Sequence, residues 1–239
     1  MKVVGLIPAR LNSSRLFGKA LIEIGGIPMV VHTYRRAIKS KKLDDLYICT
    51  DSTEIASTSQ KFNCKIIMTG KHKTGTDRIS EAAEKLKKNF NLYIDIQGDE
   101  PLINPKHIDK LIEWHMNNSQ FDVVVPSMKM KSNIENPNIV KVISSENEIL
   151  YFTRAKAPFP FKKTPHYYKH LSVISFKPKA LKEFRKLPLS PLEKIESIEL
   201  MRALENNFKL GTFFLNGDSF SVDTKEDLIK AKKRILLEK

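Results

Sequence analysis

Cysteine is scarce in this chain, with only Cys49 and Cys64 among 239 residues. Neither has a metal-type spacing, so a disulfide scaffold and a cysteine metal site are both excluded, and the pair reads as buried apolar filler. Long apolar runs are missing too. No stretch of about 18 apolar residues exists, which excludes a spanning helix, and the first residues pass straight into a strand pattern with no small-residue cleavage site. A cytoplasmic protein is the expectation. The sequence also lacks internal repeats, low-complexity tracts, an obvious linker and a Walker A loop, for which the spacing G-x-x-x-x-G-K-[ST] is required.

What the chain has in excess is positive charge, 41 Lys and Arg against 27 Asp and Glu, for a formal net charge of +14. The lysines are spread over predicted helix faces, as at Lys85, Lys87 and Lys88 or Lys230, Lys232 and Lys233, with no recognition helix, zinc finger or aromatic RNA-binding signature beside them. A solvated basic surface that draws in an anionic small substrate therefore stands against a basic nucleic-acid-binding protein. At 27.4 kDa the chain is long enough for one large domain.

Apolar periodicity predicts alternating strands and helices through about residue 126. Val3 to Ile7 reads as a first buried strand, Leu46 to Thr50 as a second, Lys65 to Met68 as a third and Leu92 to Ile96 as a central one. Helices are expected from Pro28 to about Arg36, after Asp51 or Ser52, after Thr74 to about Asn89 and from Pro105 to about Asn117. Asp122 to Pro126 closes this rhythm, which predicts an α/β fold with a mostly parallel central sheet and helices on both faces. Beyond it, Ile139 to Ile143, Glu148 to Phe152 and Tyr167 to Phe176 are strand-like with no helix between the first two, so an antiparallel insert over about 127–189 is expected. An amphipathic helix is predicted from Ser190 to about Asn206, a strand from Phe208 to Leu215, and a closing helix from Lys225 to Leu237.

Two stretches carry chemistry on residue type alone. The first strand opens into Ala9-Arg10-Leu11-Asn12-Ser13-Ser14-Arg15-Leu16-Phe17-Gly18-Lys19, where Arg10, Arg15 and Lys19 lie among small polar residues. Arg forks, a Lys point charge and backbone amides together suit a polyphosphate; a flexible basic surface loop is the alternative. The central strand ends on Gln97-Gly98-Asp99-Glu100-Pro101. At the carboxyl end of a strand in an open α/β sheet, Asp99 either holds a divalent cation at the rim of a cleft or caps a turn.

Taken in order, four stretches resemble one family: Ile7-Pro8-Ala9-Arg10 with Ser14 to Lys19, Thr74-Gly75-Thr76-Asp77-Arg78, Gln97 to Pro101, and Val222-Asp223-Thr224 with Glu226-Asp227-Leu228. That family is 3-deoxy-manno-octulosonate cytidylyltransferase, the CMP-Kdo synthetase of lipopolysaccharide synthesis, and the similarity spans essentially the whole chain. The resemblance implies a nucleotide-diphospho-sugar transferase type α/β fold in a single domain, 1–239, whose nucleotide part is 1–126 and whose insert meets the sugar and a second copy in a homodimer. It implies a nucleotidyltransferase that moves CMP from CTP to the anomeric hydroxyl of Kdo with release of pyrophosphate, using Mg²⁺ held by Asp99 and Asp223.

By matching motif, Arg15, Lys19, Asp99 and Asp223 are implied as catalytic. Pro8, Ala9, Arg10, Ser14, Arg15, Lys19, Thr74, Gly75, Thr76, Arg78 and Gln97 are implied in nucleotide binding, and Gln97, Arg154, His170 and Glu199 in the sugar pocket. His170 alone reads equally as a hydrogen-bonded structural histidine. Three departures bear on the sugar and the loop. Phe17 stands where the family has proline, Leu200-Met201 follows Glu199 where Gln-Leu is common, and Val173-Ile174-Ser175-Phe176 replaces a strand containing Tyr-Gly. An 8-amino analogue of Kdo or another sugar acid is accordingly an alternative substrate.

Overall fold

A computed structural model of the chain describes residues 1–11 and 16–237. In chain order its strands are β1 (Val3–Ala9), β2 (Glu23–Ile24), β3 (Ile27–Pro28), β4 (Asp45–Thr50), β5 (Ile66–Met68), β6 (Leu92–Ile96), β7 (Val123–Val124), β8 (Ser127–Lys129), β9 (Lys141–Ser145), β10 (Glu148–Thr153), β11 (Tyr168–His170), β12 (Val173–Phe176) and β13 (Leu210–Gly211). The helices are α1 (Met29–Ala37), α2 (Thr53–Gln60), α3 (Gly75–Lys85), α4 (Pro105–Asn117), α5 (Pro178–Phe184), α6 (Pro191–Glu196), α7 (Met201–Glu205) and α8 (Lys225–Leu237), with a short 3₁₀ turn at Lys19–Leu21.

Eleven strands form one sheet in the order β5-β4-β1-β6-β12-β7-β13-β10-β9-β11-β8. From β5 to β6 the neighbours run parallel, as the strand and helix alternation requires. At β12 the direction reverses: Val173 to Phe176 pair antiparallel with Ile96 to Tyr93. Outward from β13 the neighbours are antiparallel, β9 and β10 as a hairpin, and with β8 and β11 these two build the insert. Both faces of the sheet are covered. Val3 and Ile7 on β1 join a core with Val30, Leu46, Ile108 and Leu111, whereas the intervening Val4 and Leu6 join Ile79, Phe176, Leu181 and Met201 on the other side.

Local signals set most boundaries. Ser52 accepts from the Ile55 amide at the start of α2, Thr74 from Asp77 at α3, and Asn104 from Lys106 at α4 with Pro105 in its first turn. The helix expected to reach Asn89 stops at Lys85, because Leu86 turns extended and packs into the core beside α3.

Three other expectations are corrected. Tyr167 to Phe176 is two strands instead of one: β11 pairs with β8 and β9 in the insert, and β12 crosses to the centre of the sheet. The helix expected from Ser190 to Asn206 is broken into α6 and α7 at Ser197, whose φ is 54°. The strand expected over Phe208 to Leu215 survives as Leu210–Gly211, with a lone bridge from Phe214 to Ser127. α5 was not foreseen, although Pro178 in its first turn and Ala180, Leu181 and Phe184 facing the core are legible signals. Both cysteines are buried and free, and burial raises the Cys64 thiol to about 11.

Candidate active site

A cleft of about 470 Å³ opens at the carboxyl ends of β1 and β6, facing the segment around α6. Its floor is backbone brought close by missing side chains. A Cβ on Gly98 would stand 3.0 Å from the carbonyl oxygen of Pro8, and one on Gly75 3.3 Å from the Pro8 ring. The last residues of β1, the end of β6 and the first turn of α3 therefore meet directly, leaving Pro8, Ala9, Gly75, Gln97 and Gly98 accessible to a ligand.

One end of the cleft is acidic, with the Lys19 ammonium between two carboxylates. Lys19 Nζ donates to Asp99 Oδ2 at 2.6 Å, to the Val222 carbonyl at 2.9 Å and to Asp223 Oδ1 at 3.4 Å. The Val222 amide in turn donates to the Asp99 carbonyl at 2.9 Å, which ties the turn after β6 to the segment before α8. Two carboxylates from distant parts of the chain thus converge on one cation position. Among the described residues no group of three or more His, Cys, Asp or Glu side chains is arranged to hold a metal. Two hard carboxylates without a third match the way Mg²⁺ is usually held, through one or two protein carboxylates with phosphate oxygens and water completing the set.

The N-terminus of α3 forms the next wall. The Thr76 amide donates to Glu199 Oε2 at 3.2 Å, so a carboxylate rests on the positive end of that helix. Arg10 is exposed at the rim and donates from Nη1 to the Lys73 carbonyl at 3.2 Å. Arg78 also borders the cleft, yet it is only 3% exposed and its Nη1 meets Thr69 Oγ1 at 2.7 Å and Asp51 Oδ1 at 2.9 Å. Its guanidinium braces the wall from behind. Ser14 and Arg15 lie outside the described residues.

Beneath Gln97 sits Asp95, fully buried in β6. Its Oδ2 accepts from Gln97 Nε2 at 2.9 Å, and its Oδ1 has no hydrogen-bond partner among the described residues. Burial first, then the charges of Glu199 and Asp99, push its carboxyl well above the usual carboxylate range, opposed by the Gln97 hydrogen bond.

The structure separates the implied sugar residues. Gln97 and Glu199 line the cleft, whereas Arg154 and His170 do not. Arg154 spends its guanidinium on three carbonyls, those of Glu196 at 2.7 Å, Pro137 at 2.8 Å and Ser197 at 3.0 Å. Lys141, fully buried, donates to the carbonyls of Asn136 and Arg154 and so fixes the same junction. His170 places Nδ1 3.2 Å from the Leu171 carbonyl and its ring edge-on to Phe152, and burial lowers it to about 4, so the ring is neutral at physiological pH. Sequence reading missed Lys73, Leu189, Lys194 and Ser197, which also line the cleft. The basic run around Lys73 and the Ser190 to Glu196 capping motif were the signals available for them.

Comparison with known proteins follows the same outline. The cytidylyltransferase family profile matches residues 4–211. A 3-deoxy-manno-octulosonate cytidylyltransferase of Thermodesulfovibrio yellowstonii is 41% identical over 98% of both chains. An 8-amino-3,8-dideoxy-manno-octulosonate cytidylyltransferase of Shewanella pealeana is 39% identical over the whole of both. Among solved structures, a CMP:2-keto-3-deoxy-manno-octonic acid synthetase complexed with CTP superposes with a TM-score of 0.94 at 32% identity, covering all of both chains. A 4-diphosphocytidyl-2C-methyl-D-erythritol synthase of Anaerococcus prevotii, 16% identical with a TM-score of 0.64, shares the fold.

Proposed function

The chain belongs to the cytidylyltransferase family, and from that premise we propose that it transfers CMP from CTP to the anomeric hydroxyl of a 3-deoxy-manno-octulosonate-type sugar acid, releasing pyrophosphate. The observation that carries the reading is the convergence of Asp99 and Asp223 on one cation position at the end of a cleft floored by β1 and β6. Full-length kinship with enzymes named for this reaction supports it, and we weigh that kinship above bulk charge, which was the ground for the nucleic-acid-binding alternative.

In the reaction the sugar hydroxyl oxygen forms a bond to the α-phosphorus while the bond from that phosphorus to the bridging oxygen breaks and pyrophosphate departs. No protein nucleophile is needed. What the catalyst must supply is charge neutralisation and in-line placement for a polyanion meeting a second anion. We assign phosphate oxygens to Arg10 at the rim and Lys19 at the acidic end of the cleft, and to Arg15 by its motif. The floor of Pro8, Ala9 and Gly75 offers backbone to the nucleotide, and Gln97 and Glu199 of the same cleft are assigned to the sugar acid.

Asp99 and Asp223 would hold Mg²⁺, which when bound neutralises phosphate charge and lowers the pKa of a bound hydroxyl. We further propose a homodimer joined through the insert, where Leu150, Phe159 and Phe161 are 57%, 79% and 83% exposed. Cytoplasmic operation agrees with two buried free thiols.

The test is pyrophosphate release by purified protein with Mg²⁺ and CTP, comparing Kdo, its 8-amino analogue and N-acetylneuraminate, with UTP and ATP as controls. Release with CTP and an octulosonate is expected, and the better of the first two acids identifies the substrate. The absence of release with every acid would overturn the reading.

A further inference from the structure

The ammonium of Lys19 has three N–H donors and three acceptors around it, Asp99 Oδ2, Asp223 Oδ1 and the Val222 carbonyl. It is coordinated much as a small cation is. The three side chains are 16%, 24% and 27% exposed, so this cluster is partly shielded from water and is not an ordinary surface ion pair. The oxygens it uses belong to the same two carboxylates assigned to the divalent cation. A second cation brought to the same two carboxylates would stand close to the ammonium and be repelled by it.

We propose that Lys19 occupies the Asp99–Asp223 site until a nucleoside triphosphate enters, and so makes divalent-cation binding conditional on nucleotide binding. The inference rests on the metal assignment made above and adds the order of events. A triphosphate offers the ammonium more negative charge than the two carboxylates do, and it brings oxygens of its own for the cation.

Local structure permits the exchange. Lys19 begins a single 3₁₀ turn whose amides are pinned to the preceding loop, Lys19 N donating to Leu16 O at 3.1 Å and Leu21 N to Gly18 O at 2.8 Å. Gly18 has a φ of 65° and open space where a Cβ would stand. A four-carbon stem carrying a point charge can therefore swing from carboxylates to phosphates with no movement of the turn. Linkage makes the effect reciprocal: whatever affinity the nucleotide lends to the cation, the cation lends to the nucleotide.

The experiment is Mn²⁺ binding to nucleotide-free protein, followed by the free-ion electron paramagnetic resonance signal and by calorimetry. Lys19→Met should bind Mn²⁺ more tightly than the wild type by about 5–150-fold, the usual span of coupling between two ligands. Lys19→Arg keeps the positive charge and should stay weak, and Lys19→Met combined with Asp99→Asn should lose the gain. Circular dichroism confirms that each variant is folded, and the comparison of Met with Arg at one position does not depend on catalytic activity. If Lys19→Met binds no more tightly than the wild type, while the wild type takes up Mn²⁺ with a non-hydrolysable CTP analogue, the coupling is overturned and the metal site stands. If the wild type with the analogue holds no Mn²⁺ beyond what the analogue binds alone, the metal assignment fails and takes this proposal with it.

Discussion

Replacing Asp95 by asparagine should make the protein more stable near neutral pH, with the gain disappearing in acid. Asp95 is fully buried in the middle of the sheet, and one of its oxygens has no partner among the described residues. A buried polar group left unpaired costs about 1–3 kcal/mol. Burial and the neighbouring Glu199 hold its carboxyl well above the usual range in the folded state, whereas the unfolded chain returns it to about 3.9. The native state thus binds the proton more tightly. Wild-type stability is fullest below the unfolded value and is lost as pH climbs through the raised folded one.

Asparagine is nearly the same shape, can still accept from Gln97, and turns an amide toward the negative charge of Glu199 while carrying no charge of its own. Its advantage should be close to nothing near pH 4 and about 1–3 kcal/mol at pH 8. For a chain of this size that corresponds to a rise in Tm of roughly 2–12 °C. Urea unfolding at pH 4 and pH 8 measures the difference directly. A variant no more stable than wild type at pH 8, or one whose gain persists undiminished in acid, would refute the reasoning.

Asp99→Asn should reduce kcat by at least about 100-fold, as expected when a group that handles developing charge is lost, with an unchanged melting curve; retained turnover at ordinary Mg²⁺ would remove Asp99 from the mechanism. Arg202→Met breaks a buried bidentate pair with Glu193, at 2.9 and 2.8 Å. It should destabilise the protein by about 3–5 kcal/mol, whereas the double replacement with Glu193→Gln should cost clearly less in the same denaturation assay. Gly211→Ala would press a methyl to 2.7 Å from the Phe121 ring, which is stacked on Trp114. A loss of about 1–3 kcal/mol is expected from overpacking, with the KM for CTP unaffected because the site is remote from the cleft.

The parallel half of the fold was readable because its cues are local. β1, β6 and α4 announce themselves by apolar runs, a capping asparagine and a proline at the first helical turn, and they fall where the sequence puts them. The failures occur where distant partners decide. Glu193, Glu196 and Glu199 recur every third residue and read as one helix, but each carboxylate has a different destination. Glu193 pairs with Arg202, Glu196 accepts from Thr153 and the Arg154 amide, and Glu199 accepts from Thr76. In a straight helix residues three apart stay neighbours on one side, whereas these carboxylates go to separate partners and the chain breaks at Ser197.

β11 and β12 separate for a similar reason. The Leu171 amide is taken by Pro126 and the Ser172 carbonyl by Gln97, each on a different strand system. Of the site, Asp99 and Lys19 were legible as chemistry and Asp223 only through the family resemblance, and Lys19's seat between the two aspartates was not legible, since nothing in their spacing reports an ion pair. Asp95 was hidden inside an apolar strand pattern.

The bond from Val222 to the Asp99 backbone has a consequence for synthesis of the chain. Every described strand of the large sheet has been translated by residue 211, yet the second carboxylate arrives only at residue 223. A product cut short after β13 contains these strands and the floor of the cleft but one of the two carboxylates. Under the roles proposed for Asp99 and Asp223, such a fragment would keep the floor of the cleft without a complete cation position.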